Sequence, residues 1–359
     1  MNEYLKEPSE PSAIKVAMSK AAEKEEKGLP VVNFASGNVG QMPLNLEFMK
    51  MNIDLNDDLP DEIKPLTKAI KRGVKKSFER PRGLTYSATG GTEKQRKSAL
   101  EYFKEFHGVS HNDPDKVIVT AGGQRAMSAA LRSIKPGTNV YMSKWEYAAV
   151  SGILNDNGCK VTRISPENEL GLNTEELKEK VTEDSVFYLN MPKNPTGYVS
   201  PDLLKDVSEI MVDKNGGVIW DAPYLFTMMR LKKNGAEFDE EFLESEISNF
   251  QDAVSDYSDN IVQLSSISKT TLSAGLRYGF ATGPDEWIQN MNNIIGREDL
   301  SSPTASFLTG EEILKEFLKN PITYKWLTRV LADRLSYLME QDVPMILPDN
   351  GKFGALYAM

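Results

Sequence analysis

The stretch Ile261-Val262-Gln263-Leu264-Ser265-Ser266-Ile267-Ser268-Lys269, followed within ten residues by Gly275, Arg277 and Gly279, decides how this chain is read. Its apolar start predicts a buried strand. Its end places a lysine among small hydroxyl residues, with an arginine close behind. Burial and a nearby cation both favour the neutral form of an amine, the form that attacks an aldehyde. Ser266-Ile267-Ser268-Lys269 alone also fits a solvated loop lysine, so the rest of the chain has to decide.

Three other segments share the pattern of an apolar run ending in polar residues. Val186-Phe187-Tyr188-Leu189 leads into Asn190-Met191-Pro192-Lys193-Asn194-Pro195-Thr196-Gly197, a strand entering a tight turn. Val218-Ile219-Trp220 ends in Asp221, with Tyr224 three residues later. A carboxylate there lies where open α/β sheets bind ligands, although it could equally cap a helix. Val117-Ile118-Val119-Thr120 runs into Ala121-Gly122-Gly123-Gln124-Arg125-Ala126. That predicts a helix N-terminus whose N–H groups are exposed by glycines, a ready anion site. It is neither a Walker loop nor a GxGxxG fingerprint, so a nucleotide is not indicated.

Together these segments resemble fold type I pyridoxal-phosphate (PLP) enzymes, specifically the class I/II aminotransferases, from about Asn33 to the C-terminus. Ser273 and Tyr278 depart from the family's lysine signature, where aliphatic residues are commoner. The resemblance implies an α/β PLP-transferase fold: a large domain with a mainly parallel seven-stranded sheet sandwiched by helices, plus a small, incomplete α+β domain. The expected division is residues 1–44 (N-terminal segment), 45–285 (PLP-binding domain) and 286–359 (linker helix and start of the small domain).

The resemblance also implies roles. Lys269 would hold the cofactor as an aldimine and move the proton. Asp221 would keep the ring nitrogen protonated, making the ring an electron sink. Tyr224 and Asn194 would hydrogen-bond its phenolic oxygen. Trp145 would stack on the ring, unless it is a core tryptophan. Gly122, Gly123, Gln124, Ser266, Ser268 and Arg277 would form the phosphate cup. Tyr86, in Tyr86-Ser87-Ala88-Thr89-Gly90-Gly91, would reach a neighbouring subunit's phosphate, implying a homodimer with shared active sites. Gly37 would approach the substrate carboxylate. Arg297 stands where aspartate-type members read a side-chain carboxylate, though a surface arginine fits as well. The substrates would be an amino acid and a 2-oxo acid, converted in ping-pong half reactions. A PLP-dependent lyase or decarboxylase would use the same machinery, and a non-catalytic PLP-binding sensor is the other alternative.

Bulk composition agrees with an enzyme. The 359 residues can bury a large core and suggest two domains. Forty-two basic against 52 acidic residues leave a net charge of −10, which argues against nucleic-acid or membrane surfaces. No span is apolar enough for a bilayer, and the single cysteine, Cys159, suits a reducing compartment, so the expected location is cytoplasmic. With only His107 and His111, both expected at the surface, neither a zinc cluster nor a Ser-His-Asp triad is expected.

Strands are expected at Val117–Thr120, Val140–Met142, Val161–Ile164, Val186–Leu189, Val218–Asp221, Ile261–Leu264 and Phe280–Thr282. Helices are expected over Thr92–His107, Thr174–Lys180, Leu203–Lys214, Glu286–Ile295, Glu311–Lys319 and Thr323–Gln341, with an amphipathic surface helix in acidic Glu237–Asp259. Gly351–Tyr357 resembles the first strand of the family's small domain. Members usually continue further, to the arginine that grips the substrate α-carboxylate, and no residue here matches it. The expectation is a truncated chain whose last strand lacks neighbours and exposes an edge, with a partner subunit or domain swap as the other remedy.

Overall fold

The computed structural model describes residues 16, 20, 23–24, 27–28, 61–79, 85–320, 322–341 and 343–356, with side chains left undescribed at 322 and 323. Gly37 lies outside these residues.

Seven strands form the main sheet: β1 (Val117–Thr120), β2 (Asn139–Ser143), β3 (Lys160–Ile164), β4 (Val186–Asn190), β5 (Gly217–Asp221), β8 (Ile261–Ser266) and β9 (Gly279–Thr282). Their spatial order is β1-β9-β8-β5-β4-β2-β3. β9 runs antiparallel to both its neighbours, and every other pairing is parallel. All seven expected strands are present, within two residues at each end.

The strands read as continuous apolar runs because helices cover both faces. Alternate residues sort cleanly between two cores. Val117, Val119, Phe187, Leu189, Val218 and Trp220 face one, and Ile118, Val186, Tyr188 and Ile219 face the other. The first core takes side chains from α2 (Glu93–Phe106), α6 (Pro201–Val212), α7 (Glu240–Ser255) and α10 (Thr304–Lys319). The second takes them from α3 (Gly123–Arg132), α4 (Ala149–Asp156) and α9 (Asp285–Asp299). Helix α5 (Thr174–Lys180) matches its expected span, and α2 begins on a capping box between Thr92 and Gln95. α7 is the expected acidic helix, and it buries Phe242, Leu243, Ile247, Phe250 and Val254. Helix α1 (Lys64–Phe78) went unforeseen. It packs on α10 at Gly73, where an added Cβ would lie 2.4 Å from Thr309 Cα.

A second, three-stranded sheet has the order β10-β6-β7, from β6 (Met229–Lys232), β7 (Gly235–Glu237) and β10 (Lys352–Phe353). Helix α11 (Ile322–Glu340) covers it through Ala332 and Leu335. The expected final strand without neighbours is therefore corrected, while β10 does lie at the edge of its sheet. Phe353 pairs with Met229 of β6, is buried, and packs against Gly197. The neighbour comes from the middle of the chain, from a charged hairpin that lacks a strand-like apolar run.

The histidine expectation is also corrected. His107 is fully buried among Tyr102, Phe103 and Trp220, because it closes α2 against the sheet. His111 is half-buried and hydrogen-bonds Thr282 Oγ1 at 3.2 Å. No helix among the described residues is long and apolar enough to cross a membrane.

Candidate active site

Five parallel strand ends and the start of β9 meet at one sheet edge. From β1 across to β2 they deliver Gly122, Arg277 (just before β9), Lys269, Asp221, Asn194 and Trp145. Ligands bind at this edge in open α/β sheets.

At its β1 end the edge forms a cup. Gly122 turns the chain with φ +84°, and α3 starts at Gly123. Arg277 sits directly over Gly122: a Cβ there would lie 2.4 Å from the guanidinium Nη2. Arg277 adopts a left-handed backbone, φ 57°, and its Nη1 donates to the Ala274 carbonyl at 2.8 Å. Gly279 permits this approach, since a Cβ on it would come within 2.5 Å of Gly122 C and Gly123 N. Ser266 stands against Gly123 and caps the short helix α8 (Ile267–Thr270), its Oγ accepting from the Ser268 amide at 3.4 Å. Gln124 is exposed, and its Oε1 accepts from the Tyr147 hydroxyl at 3.1 Å. Helix N–H groups, two serines and a fixed guanidinium suit a phosphate dianion.

Lys269 rides on α8, half-buried, its Nζ 6.0 Å from the centre of the Tyr224 ring. Burial, then the Arg277 charge, lowers its amine to about 8. These are the two causes expected from the sequence.

Asp221 ends β5, buried and paired in register with Asn190. Burial raises its carboxyl to about 6, opposed by a hydrogen bond from the Tyr188 hydroxyl to Oδ2 at 2.6 Å. It caps no helix. Asn190 Nδ2 donates to the Asp221 carbonyl at 2.7 Å, and Asn190 Oδ1 accepts from the Asn194 amide at 2.7 Å. Asn194 Nδ2 in turn donates to the Tyr224 hydroxyl at 3.2 Å, so these two groups converge.

Next to this chain lies a buried network that was not read from the sequence. Lys193 is wholly buried, and its Nζ donates to Ser143 Oγ at 2.7 Å. Ser143 Oγ donates to Glu146 Oε2 at 3.1 Å. The Asn190 amide reaches the same oxygen at 3.4 Å, and the Tyr147 amide donates to Oε1 at 3.0 Å. Burial pushes the Glu146 carboxyl up and the Lys193 amine down, and the opposite charge of each resists the shift in the other.

The remaining candidates scatter. Trp145 follows β2 at the same edge, half-buried, its indole N–H donating to the Glu169 carbonyl at 3.1 Å. Tyr86 is 82% exposed on its loop. Arg297 is exposed on the last turn of α9.

The model of the family "Aminotransferase class I and II" matches residues 48–353. The chain belongs to this family. Among similar curated aminotransferases, an aspartate aminotransferase of Pyrococcus horikoshii is 26% identical over 214 residues, 58% of this chain and 50% of its own. The mitochondrial kynurenine/alpha-aminoadipate aminotransferase of Mus musculus is 25% identical over 236 residues, 58% of this chain and 51% of its own. The matches thus span about half the length of these relatives. The fold is also that of solved aminotransferases. Aspartate aminotransferase from Thermus thermophilus with maleate superposes with TM-score 0.73 at 19% identity, over 97% of this chain and 84% of that one. An archaeal alanine:glyoxylate aminotransferase gives 0.65 at 20% identity, over 87% and 70%.

Proposed function

We propose that this chain is a pyridoxal-phosphate-dependent aminotransferase moving an amino group between an amino acid and a 2-oxo acid in ping-pong half reactions. The observation that carries the reading is the convergence of the Gly122–Arg277 cup, the Lys269 amine and the buried Asp221 on one sheet edge. Bound pyridoxal phosphate would supply an aldehyde and an electron-withdrawing ring.

The chain's residues would do the rest. Gly122, Gly123, Gln124, Ser266, Ser268 and Arg277 would hold the phosphate. Lys269, with its lowered amine, would bind the aldehyde carbon and then carry the substrate Cα proton. Asp221, held by Tyr188, would keep a proton on the ring nitrogen. Asn194 and Tyr224 would hold the phenolic oxygen, and Trp145 would cover the ring. Gly37 and Arg297 are proposed at the substrate, and the exposure of Tyr86 suits a side chain that completes the cup of a second copy.

The test is an absorbance spectrum with pyridoxal phosphate, before and after single amino acids. Expected is a visible lysine-bound band that gives way to the near-ultraviolet band of the aminated cofactor, with a 2-oxo acid as product. Release of ammonia or CO₂ would instead identify a lyase or decarboxylase. A band indifferent to every amino acid would leave a cofactor-binding protein without transamination.

A further inference from the structure

Lys193 has no place in the chemistry above, yet it is one of the largest wholly buried side chains among the described residues. Removing an ammonium from water is unfavourable unless partners compensate. The compensation here joins separate parts of the chain. Asn190 ends β4 and Lys193 lies in the turn after it, while Ser143 ends β2 and Glu146 lies in the loop that follows. Glu146 gathers the Ser143 hydroxyl and the Asn190 amide on one oxygen and the Tyr147 amide on the other, so its position is fixed by three donors. Asn190 continues the network to the Asp221 carbonyl and the Asn194 amide. Asn194 and Asp221 are the groups that would hold the phenolic oxygen and the ring nitrogen of the cofactor. Trp145, proposed to cover it, is the immediate neighbour of Glu146.

We propose that Glu146, Ser143 and Lys193 are positioning residues that clamp the Asn190–Gly197 turn to the end of β2 and so fix Asn194 and Trp145 relative to Asp221. The clamp rests on the aminotransferase reading only for what it positions. The Glu146 charge also acts on Tyr188, whose hydroxyl donates to Asp221 Oδ2 at 2.6 Å.

Hydrogen exchange on cofactor-free protein tests the clamp first, in the parent, Glu146→Gln, Lys193→Met and the double variant. The amides of Lys193, Asn194 and Gly197 are each hydrogen-bonded within the turn. Expected in the double variant is exchange faster by about tenfold or more at these amides with the central strands unchanged, whereas the destabilised single variants exchange faster throughout. The double variant should regain the thermal midpoint that the single variants lose, because removing both charges leaves neither stranded. Parent-like protection of the turn in the double variant would overturn the proposal. So would exchange rising evenly across the sheet in that variant, which marks a plain folding element.

Titration with pyridoxal phosphate tests what the clamp serves. The double variant, stable again, should bind about tenfold more weakly and show a displaced pH midpoint of the visible band. If the parent forms no band, the cofactor reading fails while the exchange result still decides the clamp. If the parent forms the band and the double variant titrates identically, the positioning role is overturned.

Discussion

Lys193 and Lys269 end up at the same edge of one sheet, and burial lowers both amines, yet their neighbours oppose each other. Beside Lys193 stands Glu146, whose charge opposes the effect of burial and favours the ammonium. The charge acting on Lys269 is that of Arg277, which adds to burial instead of cancelling it. Lys193 is sealed from solvent, whereas Lys269 keeps partial access. A lowered amine is therefore not sufficient to mark a nucleophile. The sign of the neighbouring charge and an open approach separate the lysine proposed to react from the structural one.

The sharpest test of that contrast is the same substitution at both places. Lys269→Met should lower turnover more than about 10³-fold while leaving the thermal midpoint unchanged or raised. Lys193→Met should cost about 3–5 kcal/mol of stability, because it strands a buried carboxylate. Turnover and thermal unfolding on both proteins would show it, and equal stability loss would erase the distinction.

Asp221 comes next. Its folded pKa, about 6, lies above the unfolded value of 3.8, so the folded chain binds that proton more tightly. Its burden on stability is full above pH 6 and is relieved as pH falls from 6 towards 4. Asp221→Asn, which keeps an acceptor for Tyr188, should stabilise cofactor-free protein at pH 7.5 by about 2–3 kcal/mol and lower turnover by about 10²–10⁴-fold. Denaturant melts and initial rates would check both halves.

Gly279→Ala probes the Arg277 side. Its Cβ would press on the Gly122–Gly123 backbone, and the expected cost is about 1–3 kcal/mol, with weaker affinity for inorganic phosphate. Calorimetric titration with phosphate reads it.

At neutral pH the smallest effect belongs to His107, whose burial holds its imidazole down to about 3. Below pH 6.5 the unfolded chain takes a proton that the folded chain refuses, so stability falls as pH drops from 6.5 towards 3. His107→Leu should remove up to about 1.4 kcal/mol per pH unit from that acid slope. Thermal midpoints between pH 7 and 4 would show a shallower decline.

Much of this edge was legible because its residues end apolar runs. Asp221 and Lys269 follow strands that could hardly be anything but buried, and the glycine pair at Gly122 announces a close approach. Tyr188 was hidden by the same rule, since a tyrosine inside Val186–Leu189 reads as core until its hydroxyl is seen on Asp221. Glu146 and Lys193 were hidden differently. Each looks like a solvated loop charge, and their link through Ser143 exists only once β2 and β4 are paired. The usable signal was a lysine enclosed by prolines in a turn at the ligand edge. The hairpin of β6 and β7 failed for a plainer reason: Arg230, Lys232 and Lys233 break any apolar run, and only Asn234-Gly235 marks the turn.

The placing of β9 between β1 and β8 has a consequence for biosynthesis. Among the described residues β1 sits at the sheet's edge with β9 as its one strand partner, and roughly 160 residues separate the end of one from the start of the other. At about 5–20 residues per second, a ribosome needs roughly 10–30 seconds to make them. Through that interval β1 has no strand to pair with, and the glycine half of the anion cup waits for its arginine. The site is therefore completed only once β9 has been made, and any small molecule that needs both halves must wait for that strand.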